Sequence, residues 1–288
     1  MRPHQWVKNV FVAGPLVFAR LVGDSHAALR TAAAFGIFCL LSSTVYLVND
    51  LVDLEKDRAH PVKRRRPLAS GALSPAVARV LAGVLGAAAL VAAALLGSGP
   101  PFSLAFLGTA VAYLALNLAY SLALKKIAFV DVACLSAGFL LRVLGGAFAI
   151  PVPASRWLLA CTLLLSALLG FGKRAHELRV SGESGRAQRD VLGRYDLPTL
   201  RRLMAVLGVL TTLTYLVYTQ SMHARELFHV ELVWTVPFVA IGIFRFIAIT
   251  NRKADAESPT ESMLRDPLFV ANVLAYGAAV LILLYVAL

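Results

Sequence analysis

Residues 80–96 read VLAGVLGAAALVAAALL, an unbroken run of apolar and small residues without a charge. A strand of a transmembrane β-barrel alternates apolar and polar side chains over about ten positions, and this run does not alternate. A helix needs roughly 20 mostly apolar residues to cross the hydrocarbon core of a bilayer. The run and its flanks supply them over 77–97, so this stretch predicts a transmembrane α-helix.

The rest of the chain repeats the pattern. Its 288 residues are 59% hydrophobic and only 15% charged, with a mean hydropathy of +0.74, whereas about a quarter of a soluble domain is charged. We therefore predict an all-α integral membrane protein with about nine transmembrane helices. They lie at 5–22, 30–50, 77–97, 101–119, 127–149, 155–174, 199–220, 229–249 and 268–287.

The first of these helices has the weakest pattern. Pro3, Lys8, Asn9 and Pro15 interrupt it, so it could be an interfacial or a broken helix. We expect no removable signal peptide, because the apolar run after Lys8 lacks a small-residue cleavage site. The three cysteines all fall inside predicted helices without metal-ligand spacing, and we interpret them as small apolar packing residues.

The positive charge is distributed unevenly between the two sides of the predicted bundle. A net charge of +12 could indicate nucleic-acid binding. However, all but five of the 28 basic residues lie on the side of the membrane that receives the N-terminus and the loops after helices two, four, six and eight. That asymmetry is the positive-inside pattern. We therefore expect a multi-pass protein of the inner, cytoplasmic membrane, with its N-terminus and its active site at the cytoplasmic face, and no nucleic-acid partner.

An acidic segment ends the second predicted helix. Residues 49–57 read NDLVDLEKD, so Asp50, Asp53 and Asp57 are spaced by three and then four residues. This spacing places them on one face of a helix, where three carboxylates repel one another unless a cation lies among them. Magnesium takes one or two carboxylates and leaves positions for phosphate oxygens. The segment therefore predicts a Mg²⁺ site formed by these three aspartates.

Basic residues follow the acidic segment at once. Residues 60–67 read HPVKRRRP, and Lys63 and Arg66 are candidate phosphate ligands. Carboxylates that hold a metal beside cations that hold phosphates make a diphosphate-binding site. The alternative is a solvated helix end with local ion pairs.

Several polar residues lie just before the fifth predicted helix and within it. Tyr120 and Lys125 end the helix before it, and Asp131 and Arg142 lie eleven residues apart within it. Eleven residues make three helical turns, so Asp131 and Arg142 could line a polar cavity. Lys125 with its neighbour Lys126 could equally be an interfacial anchor.

A further charged group ends the sixth predicted helix. Residues 172–178 read GKRAHEL. Lys173 and Glu177 lie one turn apart, so a surface ion pair is the simpler interpretation. We expect His176 to be a polar loop residue rather than a metal ligand.

The acidic segment, its basic continuation and the Tyr-Ser-x-x-Leu-Lys end of the fourth helix resemble the UbiA superfamily of intramembrane prenyltransferases. The resemblance covers nearly the whole chain. It implies one membrane-embedded catalytic domain over 1–288, a bundle around a central cavity open to the cytoplasmic side, and Mg²⁺ as cofactor. The substrate-binding residues it implies are Lys8, Asn49, Lys63, Arg66, Tyr120, Lys125, Asp131, Arg142, Lys173, Arg174 and Glu177.

Within the superfamily, the chain is most similar to members that transfer phosphoribosyl groups. Residues 2–9 (RPHQWVKN), residues 172–178 and Asp266-Pro267 carry this closer likeness. Prenyl-diphosphate users generally have a second aspartate-rich motif after the sixth helix, where this chain has Lys173-Arg174-x-x-Glu177. The resemblance implies transfer of 5-phosphoribosyl from phosphoribosyl pyrophosphate to a polyprenyl phosphate for the synthesis of arabinose-containing cell walls. The extra cations would suit the 5-phosphate of such a donor.

Two other functions remain open. One is a prenyltransferase that moves a polyprenyl chain from its diphosphate to an aromatic or haem acceptor, against which the missing second aspartate motif argues. The other is an organic-anion transporter, which inverted repeats and half-helices broken at mid-membrane would support. The chain shows neither clearly, and the oligomeric state stays open.

Overall fold

A computed structural model describes residues 3–59, 63–98, 103–188, 190–228, 230–251 and 259–285. Within these residues the secondary structure is α-helix and short 3₁₀-helix, without a strand. The prediction of an all-α protein is confirmed. The chain divides into two compact units, Met1–Ala154 and Ser155–Leu288.

The first unit is built around one long helix, α2, which contacts the other long helices of the unit. Its elements are a 3₁₀-helix at Pro3–Ala13, α1 at Gly14–Phe18, α2 at Ser25–Val52, α3 at Leu54–Ala59, a 3₁₀ turn at Lys63–Arg65, α4 at Pro75–Ser98, α5 at Ala105–Leu122, a 3₁₀ turn at Leu124–Lys126 and α6 at Val130–Ala149.

The second unit begins with the longest helix of the chain. Its elements are α7 at Arg156–Gln188, a 3₁₀-helix at Asp190–Arg194, α8 at Leu197–Gln220, α9 at Met222–Phe228, a 3₁₀ turn at Leu232–Thr235, α10 at Val236–Asn251, α11 at Pro259–Arg265 and α12 at Pro267–Tyr285. At the start of α8 the Asp196 side chain accepts a hydrogen bond from the backbone N–H of Thr199. Hydrogen bonds from Thr199 lower the pKa of this exposed carboxyl, as expected for a helix cap.

Eight helical segments in the described residues are long and apolar enough to cross a membrane. They correspond to the second to ninth predicted helices. The first predicted helix is not among these eight, because it is not a continuous α-helix; it is the broken helix that its interruptions had left open. Pro15 lies in the first turn of α1 and has no N–H for the hydrogen bond that would continue a helix from the preceding turn. The chain therefore forms a 3₁₀ segment followed by one short α-helix.

The helix α7 also differs from the prediction. It continues to Gln188, well past the expected end at 174. His176 consequently lies inside a helix and is buried, so its interpretation as a polar loop residue was wrong. The guanidinium of Arg179 donates to the backbone oxygen of Thr250 (2.7 Å) and to Asn251 Oδ1 (2.6 Å). Because these acceptors lie at the end of α10, Arg179 ties the extension of α7 to that helix.

An arginine also connects helix ends in the first unit. Arg30 Nε donates to the backbone oxygen of Ala149 (2.6 Å), and its Nη2 donates to that of Leu96 (2.7 Å). These carbonyls belong to the last turns of α6 and α4, which otherwise have no partner within their own helix. Arg30 therefore satisfies them and complements the negative end of both helices.

Candidate functional site

The acidic segment lies where α2 passes into α3. Asp53 caps α2 with its N–H bonded to the oxygen of Asn49, and the N–H of Asp57 bonds to the oxygen of Asp53 at 2.8 Å. Helical hydrogen bonds therefore continue across Asp53, the one residue between α2 and α3. Asp50, Asp53 and Asp57 therefore keep the shared face that their spacing predicts.

Arg66 returns to this acidic face from the basic segment. A short turn, in which the N–H of Arg66 bonds to the oxygen of Lys63 at 2.9 Å, brings it back. Its Nη1 lies 2.6 Å from Asp57 Oδ2 and 3.4 Å from Asp50 Oδ1. Asp57 is only 4% exposed, so a cation beside it offsets the cost of burying its charge.

Lys125 reaches the same face from the turn after α5. Its Nζ lies 2.7 Å from Asp53 Oδ1, 2.8 Å from Asp53 Oδ2 and 3.4 Å from Asn49 Oδ1. The two residues are 72 positions apart, and both side chains are largely buried. The sequence left open whether Lys125 binds substrate or anchors the helix at the interface. The structure adds a third role, because Lys125 neutralises Asp53 within the protein.

The resulting cluster consists of Asp50, Asp53 and Asp57 with Arg66, Lys125 and Asn49. We call it the acidic–basic cluster. It lies at the C-terminal end of α2, where the helix dipole also favours a cation. Lys63 and Tyr120 are half-buried on the neighbouring segments. The structure thus brings together residues from three parts of the chain.

The residues of this cluster fit a magnesium ion in their chemistry. Carboxylate and amide oxygens are hard donors, and magnesium commonly uses only one or two carboxylates of the protein. Within the described ranges, no three Asp, Glu, His or Cys side chains lie close enough to hold one ion together. Arg66 and Lys125 instead occupy the carboxylates as counter-charges. An ion held by two carboxylates and by substrate oxygens is compatible with this arrangement, and the three-aspartate ligand set stays a prediction.

Arg142 belongs to a different, deeper network. Its Nε donates to Asn9 Oδ1 (2.8 Å), its Nη2 to Tyr113 Oη (2.7 Å) and its Nη1 to the backbone oxygen of Gly138 (3.0 Å). Ser42 completes the network through 3.3 Å contacts with both Asn9 and Tyr113. Arg142 is buried, and its carbon Cζ lies 4.7 Å from the Tyr113 ring centre. Its donors are thus directed at neutral groups of the protein.

Two other predicted binding residues, Lys8 and Asp131, form hydrogen bonds within their own segments. Lys8 Nζ donates to Gln5 Oε1 at 2.6 Å in the 3₁₀ segment. Asp131 is fully buried at the start of α6, with Oδ1 accepting from the N–H of Val132 at 2.9 Å. Sequence analysis missed Asn9 and Tyr113 as members of the Arg142 network. The motif at residues 2–9 includes Asn9, but no local signal marks Tyr113 among the apolar residues of α5.

The second unit holds the remaining predicted group on α7. Arg174 is completely buried and forms an ion pair with Glu177, one turn further along the helix. Glu177 thus has a buried partner in Arg174, which the expectation of a Lys173–Glu177 surface pair did not include. The side chain of Lys173 is half-buried on the same helix.

Comparison with known proteins gives the class of this fold and site. The model of the UbiA prenyltransferase family matches residues 10–179. The chain belongs to the UbiA prenyltransferase family. A solved structure of a UbiA homologue from Archaeoglobus fulgidus bound to GPP and Mg²⁺ superposes with a TM-score of 0.68 at 16% identity, over 97% of this chain and 96% of that one. At that identity the likeness supports the fold.

Particular relatives are much closer in sequence. The chain is 34% identical to the decaprenyl-phosphate phosphoribosyltransferase of Mycolicibacterium smegmatis and 35% identical to that of Mycobacterium tuberculosis. Each match covers 97% of this chain and 91% of the relative. The resemblance drawn from the acidic segment, residues 2–9 and residues 172–178 is thereby confirmed.

Proposed function

We propose that this protein is a pentosyltransferase that moves 5-phosphoribosyl from phosphoribosyl pyrophosphate to a polyprenyl phosphate and releases pyrophosphate. The observation that carries the proposal is the near-full-length similarity to the two enzymes named decaprenyl-phosphate phosphoribosyltransferase. Lys173-Arg174-x-x-Glu177, which stands where prenyl-diphosphate users have a second aspartate motif, agrees with it. A bilayer-spanning protein is also suited to a lipid acceptor, which stays in the membrane.

The acidic–basic cluster would bind the diphosphate of the donor. Magnesium bound there by Asp50, Asp53 or Asp57 would neutralise charge that develops on the departing pyrophosphate. Arg66 and Lys125 are placed to hold phosphate oxygens, since each already lies beside a carboxylate of the cluster. When substrate and metal enter, each cation would exchange a carboxylate oxygen for a phosphate oxygen. This exchange retains the charge balance of a largely buried site.

The acceptor needs little activation. A phosphate monoester is already ionised near neutral pH, so the protein need not supply a strong general base. The chain would have to orient the phosphate oxygen behind the anomeric carbon and keep water away from a carbon with oxocarbenium character. We place the site at the cytoplasmic face of the inner membrane, because the basic residues of the chain are concentrated on that side.

Donor identity is the decisive experiment. Membranes containing the protein are supplied with ribose-labelled phosphoribosyl pyrophosphate and unlabelled polyprenyl phosphate, or with labelled polyprenyl diphosphate and an aromatic acceptor. We expect ribose label in the lipid fraction only in the first reaction, with a requirement for magnesium. Transfer of label only in the second would make the protein a prenyltransferase instead.

A further inference from the structure

A lateral groove opens between α2, α4 and α5 of the first unit. Its volume is about 590 Å³, which lies within the range of about 300–1,000 Å³ for small-molecule sites. The lining consists of aliphatic and small side chains with Thr44 and one charged residue, Arg79. Gly83 and Ala87 on α4 are exposed within it. The groove is thus an apolar depression on the surface of a membrane-spanning unit.

The charge of the groove is confined to one end. Arg79 lies near the start of α4, on the same level as Leu51 at the end of α2 and Leu118 near the end of α5. Its side chain is exposed, and it forms no hydrogen bond or ion pair with any residue in the described part of the chain. An unpaired guanidinium at the mouth of an apolar groove is complementary to a phosphate attached to a hydrocarbon chain.

The length of the groove matches one leaflet of the bilayer. Along α4 it runs from Arg79 to Leu90, a rise of about 16 Å at 1.5 Å per residue. The hydrocarbon core of a bilayer is about 30 Å thick. A lipid with its headgroup at Arg79 would therefore place its chain along the groove and end near mid-membrane.

The groove is separate from the acidic–basic cluster. Val48 lines the groove and Asp50 belongs to the cluster. Two positions along an α-helix lie on nearly opposite faces, so α2 separates the two sites. A lipid phosphate at Arg79 is therefore on the wrong face of α2 to react at the cluster.

We propose that this groove binds an anionic glycerophospholipid, with the phosphate on Arg79 and one acyl chain against Gly83, Gly86 and Leu90. The lipid is a structural ligand of the first unit and takes no part in the transfer reaction. Gly86 lets α4 approach α2 closely at the floor of the groove, since a Cβ there would lie 3.3 Å from Thr44 Cγ2. At Gly83 a Cβ would meet no atom within 4 Å, so a larger side chain at that position would project into the groove.

Native mass spectrometry of the detergent-purified protein tests the proposal with phosphatidylglycerol as the probe. The wild type is expected to retain one phosphatidylglycerol per chain. Gly83→Leu should abolish retention by filling the groove, and Arg79→Gln should weaken it about fivefold, since one basic side chain contributes about 1 kcal/mol to lipid attraction. The matched controls are Gly108→Leu, an exposed position on α5 whose Cβ is also unopposed, and Arg202→Gln on α8. Both should retain lipid as the wild type does.

Three outcomes would overturn the proposal. Equal retention by the wild type, Gly83→Leu and Arg79→Gln would place the lipid elsewhere. Retention of polyprenyl phosphate but not of phosphatidylglycerol would make the groove a binding site for that lipid instead. Loss of a wild-type oligomer mass in Gly83→Leu, without any loss of lipid, would make the groove an interface between copies. Because the measurement is lipid binding, its result does not depend on the proposed transferase activity.

Discussion

At the scale of single residues, each carboxylate of the acidic–basic cluster is balanced by a cation from another segment. Lys125 lies across both oxygens of Asp53, and Arg66 lies between Asp57 and Asp50. The spacing of the aspartates predicted a shared face and hence a cation. It could not predict which cation, because Lys125 is 72 positions away from Asp53.

If Asp53 binds magnesium as proposed, Asp53→Asn should lower turnover by about two orders of magnitude or more, because a metal ligand contributes several kcal/mol of charge stabilisation in the transition state. Glu55→Gln is the control, since Glu55 is 81% exposed and pairs with Arg58 on the same short helix. Turnover is measured over a magnesium titration, beside the yield of folded protein. If Asp53→Asn reached normal turnover at saturating magnesium, Asp53 would not be a metal ligand.

Arg174→Met should destabilise the protein by about 3 kcal/mol, because it removes the fully buried partner of an ion pair within α7. The double variant Arg174→Met with Glu177→Gln should recover much of the loss. Unfolding midpoints in detergent measure both variants. An additive double variant would show that the two side chains do not interact energetically.

Lys173 is a better residue than Arg174 for a test of donor recognition, because Arg174 is buried and already paired with Glu177. If Lys173 contacts the 5-phosphate, Lys173→Ala should raise the KM for phosphoribosyl pyrophosphate about tenfold or more, since a charge-assisted hydrogen bond contributes about 1.5–3 kcal/mol. The KM for the lipid phosphate, determined in the same assay, should stay unchanged. A selective loss of lipid affinity would instead assign Lys173 to the acceptor.

At the scale of elements, close approach of backbones decides how the first segment sits. A Cβ added at Gly146 on α6 would lie 2.0 Å from the backbone oxygen of Val12. The 3₁₀ segment therefore contacts α6 directly, and the same segment presents Asn9 to Arg142. Helix periodicity does not report such contacts, which is why the sequence left open whether this segment is an interfacial or a broken helix.

Gly146→Ala should accordingly lower stability by about 1–3 kcal/mol, because the backbone of the 3₁₀ segment has to move away from the added methyl group. Gly108→Ala on α5 is the matched control. Its Cβ meets nothing within 4 Å, and alanine is the better helix former. Thermal unfolding midpoints in detergent give the comparison. A Gly146→Ala midpoint equal to or above the control would argue against close packing of the segment on α6.

At the scale of the whole molecule, orientation in the membrane is a separate prediction. The charge distribution places the 3₁₀-helix Asp190–Arg194 in the cytoplasm and α9 outside. Met222 at the start of α9 is 69% exposed, and Gly193 is exposed with open space around its Cβ. Both are suitable cysteine positions once Cys39, Cys134 and Cys161 have been replaced.

An impermeant thiol reagent applied to intact cells should label Met222→Cys and not Gly193→Cys, whereas permeabilised cells should be labelled at both. The cysteine-free background shows the level of non-specific reaction. Labelling of Gly193→Cys from outside would reverse the proposed orientation.

The sequence by itself determined the membrane class, the positions of eight helices and the aspartate face at the end of α2. These properties are local, because apolar run length and three-and-four spacing act within one helix. The tertiary structure decided the partners: Lys125 for Asp53, and Asn9 for Arg142 across 133 positions. It also decided that the first segment is a broken helix and that α7 continues past its apolar stretch. A polar group inside a membrane protein takes whichever partner packing brings within hydrogen-bond distance, and packing depends on residues that are far apart in the chain.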